Sequence, residues 1–232
     1  EHHCLSIGKA LIIAILFFVY NIVIYKLIRD LLMFKPKSII PFLFAILGFF
    51  PAQADPTQVS AYVDKILNEF VSIASNSSSS DDTKVSQAKA LIAKQLDVDW
   101  MSKFVLGRYR RGIAPEEMAK FTSTYHDYVV AIYASAVKHY KGQKVQVTNI
   151  RNVADNEFAV KTSVMRAGQD PLLIDYMVRV YPGGVYKVFD VITEGVSLIT
   201  SQQAEFTNTI GASSIEALRQ DLIAKMKSPE VK

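Results

Sequence analysis

The sequence predicts an α+β protein in which helices pack on a twisted four-stranded antiparallel sheet. Apolar residues recur at helical spacing before residue 141 and again after residue 200. Between residues 145 and 192 they alternate with a period of two, which is typical of strands. Short turn sequences separate the alternating runs, as in a meander of neighbouring antiparallel strands.

Helices are expected on both sides of the sheet region. The first is predicted over 56–74, where apolar residues fall at steps of three and four. A second is predicted over 84–96, and a short third one ends before Gly107. The longest, over 115–140, carries an aromatic-rich stripe. The remaining elements are predicted as strands over 145–150, 158–164, 172–181 and 186–192, and helices over 201–210 and 214–226.

The segment before residue 55 has the pattern of an export leader. Lys35 and Lys37 precede a twelve-residue apolar region over 39–50, and Ala-Gln-Ala at 52–54 is a small-x-small cleavage site. Residues 33–54 are therefore interpreted as a secretory signal peptide that is cleaved before a single domain over 55–232. Residues 1–32 are interpreted as an upstream extension that the native mature protein does not carry, the alternative being a membrane anchor.

The charge of the chain excludes a strongly basic nucleic-acid binder. Lys and Arg total 26, Asp and Glu total 22, and the formal net charge is +4. Five of the basic and two of the acidic residues precede Asp55, so the expected mature part has a net charge of only +1. The single cysteine, Cys4, also lies in the leader, so we expect a domain stabilised by its core rather than by disulfides.

No metal site or cofactor is expected. His126 and His139 are the two histidines after residue 55, and they lie thirteen positions apart on one predicted helix. At that spacing they point in different directions and are more than two turns apart, so they do not form a ligand pair.

Asp190, Glu194 and Ser197 are the candidates for catalysis. Ser197 follows Gly195 as in half of a nucleophile elbow, but isoleucine stands where that motif needs its second glycine. Asp190 and Glu194 have the chemistry of an acid–base pair, or they cap the turn around Gly195. We favour the capping role, and we expect no enzymatic activity.

A small basic cluster surrounds Tyr109. Arg108, Arg110 and Arg111 lie within four residues. The cluster is either a solvated surface or a contact for anionic head groups or an acidic partner, and the sequence leaves both interpretations open.

The stretch 186–199, YKVFDVITEGVSLI, resembles a signature of the MlaC-type proteins. These are the periplasmic phospholipid-binding components of the maintenance-of-lipid-asymmetry pathway, also called toluene-tolerance auxiliary proteins. The run VLGRY at 105–109 and the pair Glu205-Phe206 also fit the family. Many members carry Trp where this chain has Tyr186, and Tyr-Arg where it has Gln202-Gln203.

The resemblance implies a deep apolar cavity between helices and sheet, and a role as a carrier. A monomeric protein in the periplasm of a Gram-negative bacterium would exchange diacyl phospholipid between an outer-membrane lipoprotein complex and an inner-membrane ABC transporter complex. Twelve side chains are assigned to the cavity by the face they occupy. They are Phe104, Phe121, Tyr125, Val129, Tyr133, Val160, Val164, Tyr176, Val178, Val188, Val196 and Leu198.

Two other classes of function stay open. One is a lipid-modifying enzyme that uses Asp190 and Glu194. The other is an interaction module with a solid core that binds no lipid.

Overall fold

Six α-helices, two 3-10 helices and five strands make up residues 54–228, the part of the chain that this computed structural model describes. The segment 1–32 and the expected signal peptide, except for its last residue, lie outside these residues. Helices come first, strands second and helices last, which confirms the α+β class and the antiparallel sheet. The α-helices are α1 (Pro56–Ser75), α2 (Asp81–Ala93), α3 (Val98–Val105), α4 (Pro115–Ser135), α5 (Leu198–Ala212) and α6 (Ile215–Met226).

Polar side chains determine where the first two helices begin. Asp55 Oδ1 accepts a hydrogen bond from the backbone N–H of Thr57 at 2.9 Å, ahead of α1. Ser80 Oγ accepts from the backbone N–H of Thr83 at 3.3 Å, so α2 begins at Asp81, three residues earlier than its apolar pattern suggests. The longest helix, α4, is shorter than expected because its last predicted turn is a 3-10 helix, Ala136–His139.

The sheet has the order β1-β2-β3-β4-β5, and every neighbouring pair is antiparallel. Tight turns join β1 to β2 and β3 to β4, a loop over 165–171 joins β2 to β3, and Pro182-Gly183-Gly184 forms the turn between β3 and β4. Both glycines of that turn have positive φ, 82° and 76°, which glycine adopts without strain. The strands are β1 (Val145–Ala154), β2 (Glu157–Val164), β3 (Leu172–Tyr181), β4 (Val185–Thr193) and β5 (Val196–Ser197).

The expected count of four strands is wrong, because a short fifth strand follows β4. Val196 in β5 pairs with Thr193 at the end of β4. The chain reverses through Glu194 and Gly195, whose φ angles of 51° and 84° both lie in the left-handed region. Two consecutive residues of this kind are typical of a type I′ hairpin turn. A strand of two residues is too short to show the alternation from which the other strands were predicted.

A closed core joins α4 and α5 to one face of the sheet. Phe121 and Tyr125 of α4 have no exposed surface, and Phe206 of α5 packs edge-on against Tyr125 at a ring separation of 6.1 Å. From the sheet, Phe158 and Val178 face each other across β2 and β3 and are equally buried. Among residues 54–228, no helix combines the length and apolar character needed to cross a membrane.

Candidate functional site: an apolar pocket between α1, α4 and the sheet

A pocket of about 480 Å³ lies between α1, the end of α4 and the sheet. Helix α1 contributes Ile66, Leu67, Phe70 and Val71, whose spacing of three and four places them on one stripe. Near the end of α4, Tyr133 lines the pocket beside Ile132. The helical wall is therefore almost entirely apolar.

Alternate residues of the strands form the opposite wall. In β3, Leu172, Ile174 and Tyr176 line the pocket, whereas Leu173 and Asp175 lie on the other face of the sheet. The neighbouring strands continue this wall at the same register. Its other members, with the first residue of α5, are Val145, Val164, Val188, Val191, Thr193 and Leu198.

Many of the pocket's apolar side chains are less buried than those of the closed core. Phe70, Ile174 and Leu198 are only half-buried, although Phe121 and Phe206 in the adjacent core have no exposed surface. Apolar side chains normally pack together to native density. These side chains instead present unfilled apolar surface toward one another, which is the arrangement of a ligand pocket.

Two tyrosines, Tyr133 and Tyr176, line this apolar space. Burial raises the pKa of Tyr176 to about 12, and burial likewise raises the pKa of Tyr133. Both phenols therefore stay protonated at neutral pH and can donate a hydrogen bond. Within the described residues neither hydroxyl has a hydrogen-bond partner, and neither oxygen is fully shielded from the pocket space.

The structure places the twelve sequence-predicted residues in three environments. Phe104 stacks on Trp100 at 4.9 Å, away from the pocket, and Val196 is 56% exposed. Five side chains lie in the closed core, namely Phe121, Tyr125, Val129, Val160 and Val178. Five line the pocket, namely Tyr133, Val164, Tyr176, Val188 and Leu198.

Sequence reasoning missed the contribution of α1. The stripe that contains Ile66, Phe70 and Val71 is visible in the sequence as a helical face, but none of its residues is among the twelve assigned to the cavity. Its length is the available signal, because it continues to the end of a 20-residue helix. Two other lining residues carry no such signal, namely Ile92 inside α2 and Tyr140 directly after the 3-10 helix.

Comparison with known proteins identifies the family. The model of the MlaC protein family matches residues 60–224, which is most of the described chain.

The chain belongs to the MlaC family.

The family expected from the stretch 186–199 is therefore confirmed. A curated relative, the intermembrane phospholipid transport system binding protein MlaC of Haemophilus influenzae, is 25% identical over 126 residues. That match covers 53% of this chain and 59% of the relative.

A solved structure has the same fold. It is a phospholipid-binding protein from Ralstonia solanacearum in complex with a phospholipid, 21% identical to this chain with a TM-score of 0.62. The match covers 74% of this chain and 97% of the other.

In this member of the MlaC family, Asp190 holds the signature segment together. Its carboxylate accepts hydrogen bonds from the hydroxyl of Ser197 at 2.6 Å and from the backbone N–H groups of Val191 and Ile199 at 2.8 and 3.1 Å. These bonds tie the end of β4 to the start of α5. Glu194 lies exposed in the intervening turn. The geometry thus gives Asp190 the capping role.

Residues that depart from the MlaC pattern also make structural contacts. Tyr186 stacks on Tyr62 of α1 with ring centres 5.0 Å apart. Gln202 accepts a hydrogen bond from the hydroxyl of Tyr125 at 2.7 Å, and Gln203 donates to the carbonyl of Phe104. These side chains hold helices and sheet together on the side of the closed core.

A charged cluster lies outside the pocket. The guanidinium of Arg179 is 4.6 Å from the ring centres of both Trp100 and Phe189, and it pairs with Asp97 and Glu157 at 2.9 Å each. Only 16% of the Arg179 side chain is exposed. The cluster fixes α3 against β2, β3 and β4.

Among the described residues, no group of three or more His, Cys, Asp or Glu side chains is arranged to hold a metal ion. His126 contacts Asp127 at 3.0 Å, and His139 lies at the edge of the pocket. The two histidines are therefore placed apart.

The three arginines near Tyr109 are exposed and form no ion pair with any described residue. Arg108 packs over the ring of Tyr109, 5.1 Å from its centre. The ring in turn approaches Gly211, where any Cβ would come within 2.8 Å of the Tyr109 hydroxyl. The position of Tyr109 thus explains both the glycine and the orientation of Arg108.

Proposed function

We propose that this chain is a periplasmic phospholipid carrier whose apolar pocket holds acyl chains. It would shuttle lipid between the outer-membrane and inner-membrane complexes of a lipid-asymmetry ABC transport system. The observation that carries the proposal is the pocket itself, about 480 Å³ in volume and walled by half-buried apolar side chains from two layers of the fold. That volume is within the range of pockets for small ligands.

Membership in the MlaC family supports this proposal. Two relatives support it as well: the Haemophilus influenzae protein, a binding protein of an intermembrane phospholipid transport system, and the Ralstonia solanacearum protein, which was solved in complex with a phospholipid.

The energetics suit a carrier. Exposing an acyl chain to water costs about 0.8 kcal/mol for each methylene, so free phospholipid does not cross an aqueous compartment at a useful rate. Transfer from a bilayer into the pocket exchanges one apolar environment for another, and its net free energy is small. Loading and delivery then need no covalent chemistry, and the polar head stays in water.

The hydroxyls of Tyr133 and Tyr176 give the pocket a polar feature that suits an ester. A protonated phenol in an apolar setting is stabilised by an acceptor. An ester carbonyl of the lipid supplies one, whereas the methylenes beyond it do not. We infer that these hydroxyls set the depth to which the chains enter.

Native mass spectrometry tests the proposal directly. The protein is exported in a Gram-negative host and purified without detergent. We expect an adduct with the mass of a diacyl phospholipid. A bare chain that also takes up no added lipid would overturn the proposal and favour a solid interaction module. Release of fatty acid or of a single-chain lipid during incubation would favour the enzyme that uses Asp190 and Glu194.

The shuttle role has a separate test. Labelled phospholipid is followed between inner- and outer-membrane preparations separated by a filter that only the protein passes. Transfer should require the protein and scale with its concentration. Equal transfer with and without the protein would contradict the shuttle role.

A further inference from the structure

The pocket reaches one end of the sheet, which is here called the pocket end. Val145 begins β1, Val164 ends β2, Leu172 begins β3 and Thr193 ends β4. All four side chains line the pocket. In an antiparallel sheet these strand termini lie together at one edge. This end of the sheet therefore borders the pocket.

Exposed apolar side chains gather at the pocket end. Met165 directly follows β2, Leu173 is the second residue of β3 and Val196 is the first of β5. They are 46%, 44% and 56% exposed, and we call them the apolar rim. In the described part of the chain only Val153 and Val185 are comparable large exposed hydrophobics, and both lie at the opposite end of the sheet.

Basic residues flank the apolar rim. Lys141 and Lys144 are exposed in the segment before β1, and the carbonyl of Lys144 accepts a hydrogen bond from the backbone N–H of Met165 at 2.8 Å. Neither lysine forms an ion pair with a described residue. Arg166 also lies here and donates to the backbone carbonyl of Asp170, not to its carboxylate.

We propose that the pocket end docks on an anionic lipid bilayer. The apolar rim enters the interface between head groups and acyl chains, and Lys141 and Lys144 contact lipid phosphates. Exposed apolar side chains beside lysines are the combination that binds such surfaces. Met165 and Leu173 lie on the face of the sheet opposite the pocket and Val196 on the pocket face, so the rim borders the pocket without filling it.

The bilayer fits this arrangement better than a protein partner does. A protein interface needs a contiguous, closely packed patch, whereas the rim consists of separate side chains on two faces of one edge. Membrane binding instead scales with the apolar area that is inserted and with electrostatic attraction to anionic lipids, and it needs no closely packed partner surface. Contact with lipid at this edge goes beyond the proposed shuttle between protein complexes, because it brings the pocket directly to a membrane.

Co-sedimentation with vesicles tests the docking surface. The purified protein is mixed with vesicles of phosphatidylethanolamine and phosphatidylglycerol at 7:3, and separately with phosphatidylcholine vesicles. We expect binding to the anionic vesicles that weakens as salt is added. Changing Lys141 and Lys144 together to Gln should weaken binding about 25-fold, since each lysine near an anionic surface contributes about fivefold.

Matched variants separate the rim from general hydrophobicity. The triple change Met165→Ser, Leu173→Ser and Val196→Ser should weaken vesicle binding about 100-fold. The double change Val153→Ser and Val185→Ser removes similarly exposed side chains from the opposite end of the sheet. It should leave vesicle binding unchanged. Equal losses in both sets, or no preference for anionic vesicles, would overturn the docking surface. A protein that carries lipid but never binds vesicles would refute the docking surface alone, and one that binds vesicles but never carries lipid would refute only the carrier.

Discussion

A charge placed in the pocket should block lipid loading while the fold is kept. Ile174 lines the pocket from the middle of the sheet wall and is half-buried. In Ile174→Asp the empty pocket can hydrate the carboxylate, so the protein still folds. An acyl chain displaces that water, and the carboxylate must then be protonated or buried as a charge. Burying the charged carboxylate costs more free energy than protonating it. The cost of protonation therefore determines how much lipid affinity is lost.

The size of the effect follows from ordinary acid–base equilibrium. An aspartate with a pKa near 3.9 costs about 4 kcal/mol to protonate at pH 7, which is a loss of about 1,000-fold in lipid affinity. Each unit by which the pH is lowered should restore about tenfold of the affinity, down to about pH 4. Displacement of a fluorescent lipid, followed from pH 7.5 to pH 4.5, measures this dependence.

Two controls isolate the charge. Ile174→Asn has the same shape without the carboxylate, and it should load far better than Ile174→Asp at pH 7 with no comparable dependence on pH. Val153→Asp puts the same charge on the exposed far end of β1 and should load normally. If the Asp and Asn variants at position 174 load lipid equally at pH 7, the acyl chains do not occupy this pocket.

Three further predictions concern the residues around the pocket. Asp190→Ala should lower the free energy of unfolding by about 2–4 kcal/mol in urea titrations, because buried donors lose their acceptor, whereas Glu194→Gln at the exposed turn should change it little. Equal effects would contradict the capping role. Arg179→Ala should cost about 3 kcal/mol by leaving two carboxylates unpaired, and Arg179→Lys should not restore it, since lysine lacks the planar fork; full rescue by lysine would refute this. Burial raises the pKa of Tyr176 to about 12, so the folded state keeps that proton when the unfolded state loses it near pH 10. Stability should therefore be full below pH 10 and fall between pH 10 and 12, and Tyr176→Phe should remove up to about 2 kcal/mol of the loss at pH 11.5. An unchanged pH profile in that variant would show that another group is responsible.

Periodicity predicted the faces of the strands better than it predicted the pocket. Alternation places Tyr176 and Val178 on one face of β3, and the register confirms that they share it. Tyr176 nevertheless lines the pocket, whereas Val178 is fully buried in the closed core. Both residues occupy equivalent positions in the alternating pattern of the strand. What separates them is how the helices pack over the sheet, which no local pattern encodes.

The turn after β4 shows a second feature that the sequence pattern could not predict. The sequence around Gly195 predicts a turn. Whether the chain then forms another strand paired with β4, or enters α5 directly, depends on the backbone conformation of Glu194. That residue adopts φ of 51°, which is uncommon outside glycine, asparagine and aspartate. The resulting hairpin adds β5 and leaves Val196 56% exposed rather than in the pocket.

Apart from a few polar side chains, among them Tyr133 and Tyr176, the pocket walls consist of aliphatic and aromatic side chains. Such residues exchange with one another at little cost as long as the total volume is kept. Leucine, isoleucine, valine and phenylalanine can therefore trade places during evolution without closing the space between α1 and the sheet. The positions that line it should therefore vary among apolar residues, while Asp190 and the glycines that shape the backbone change little.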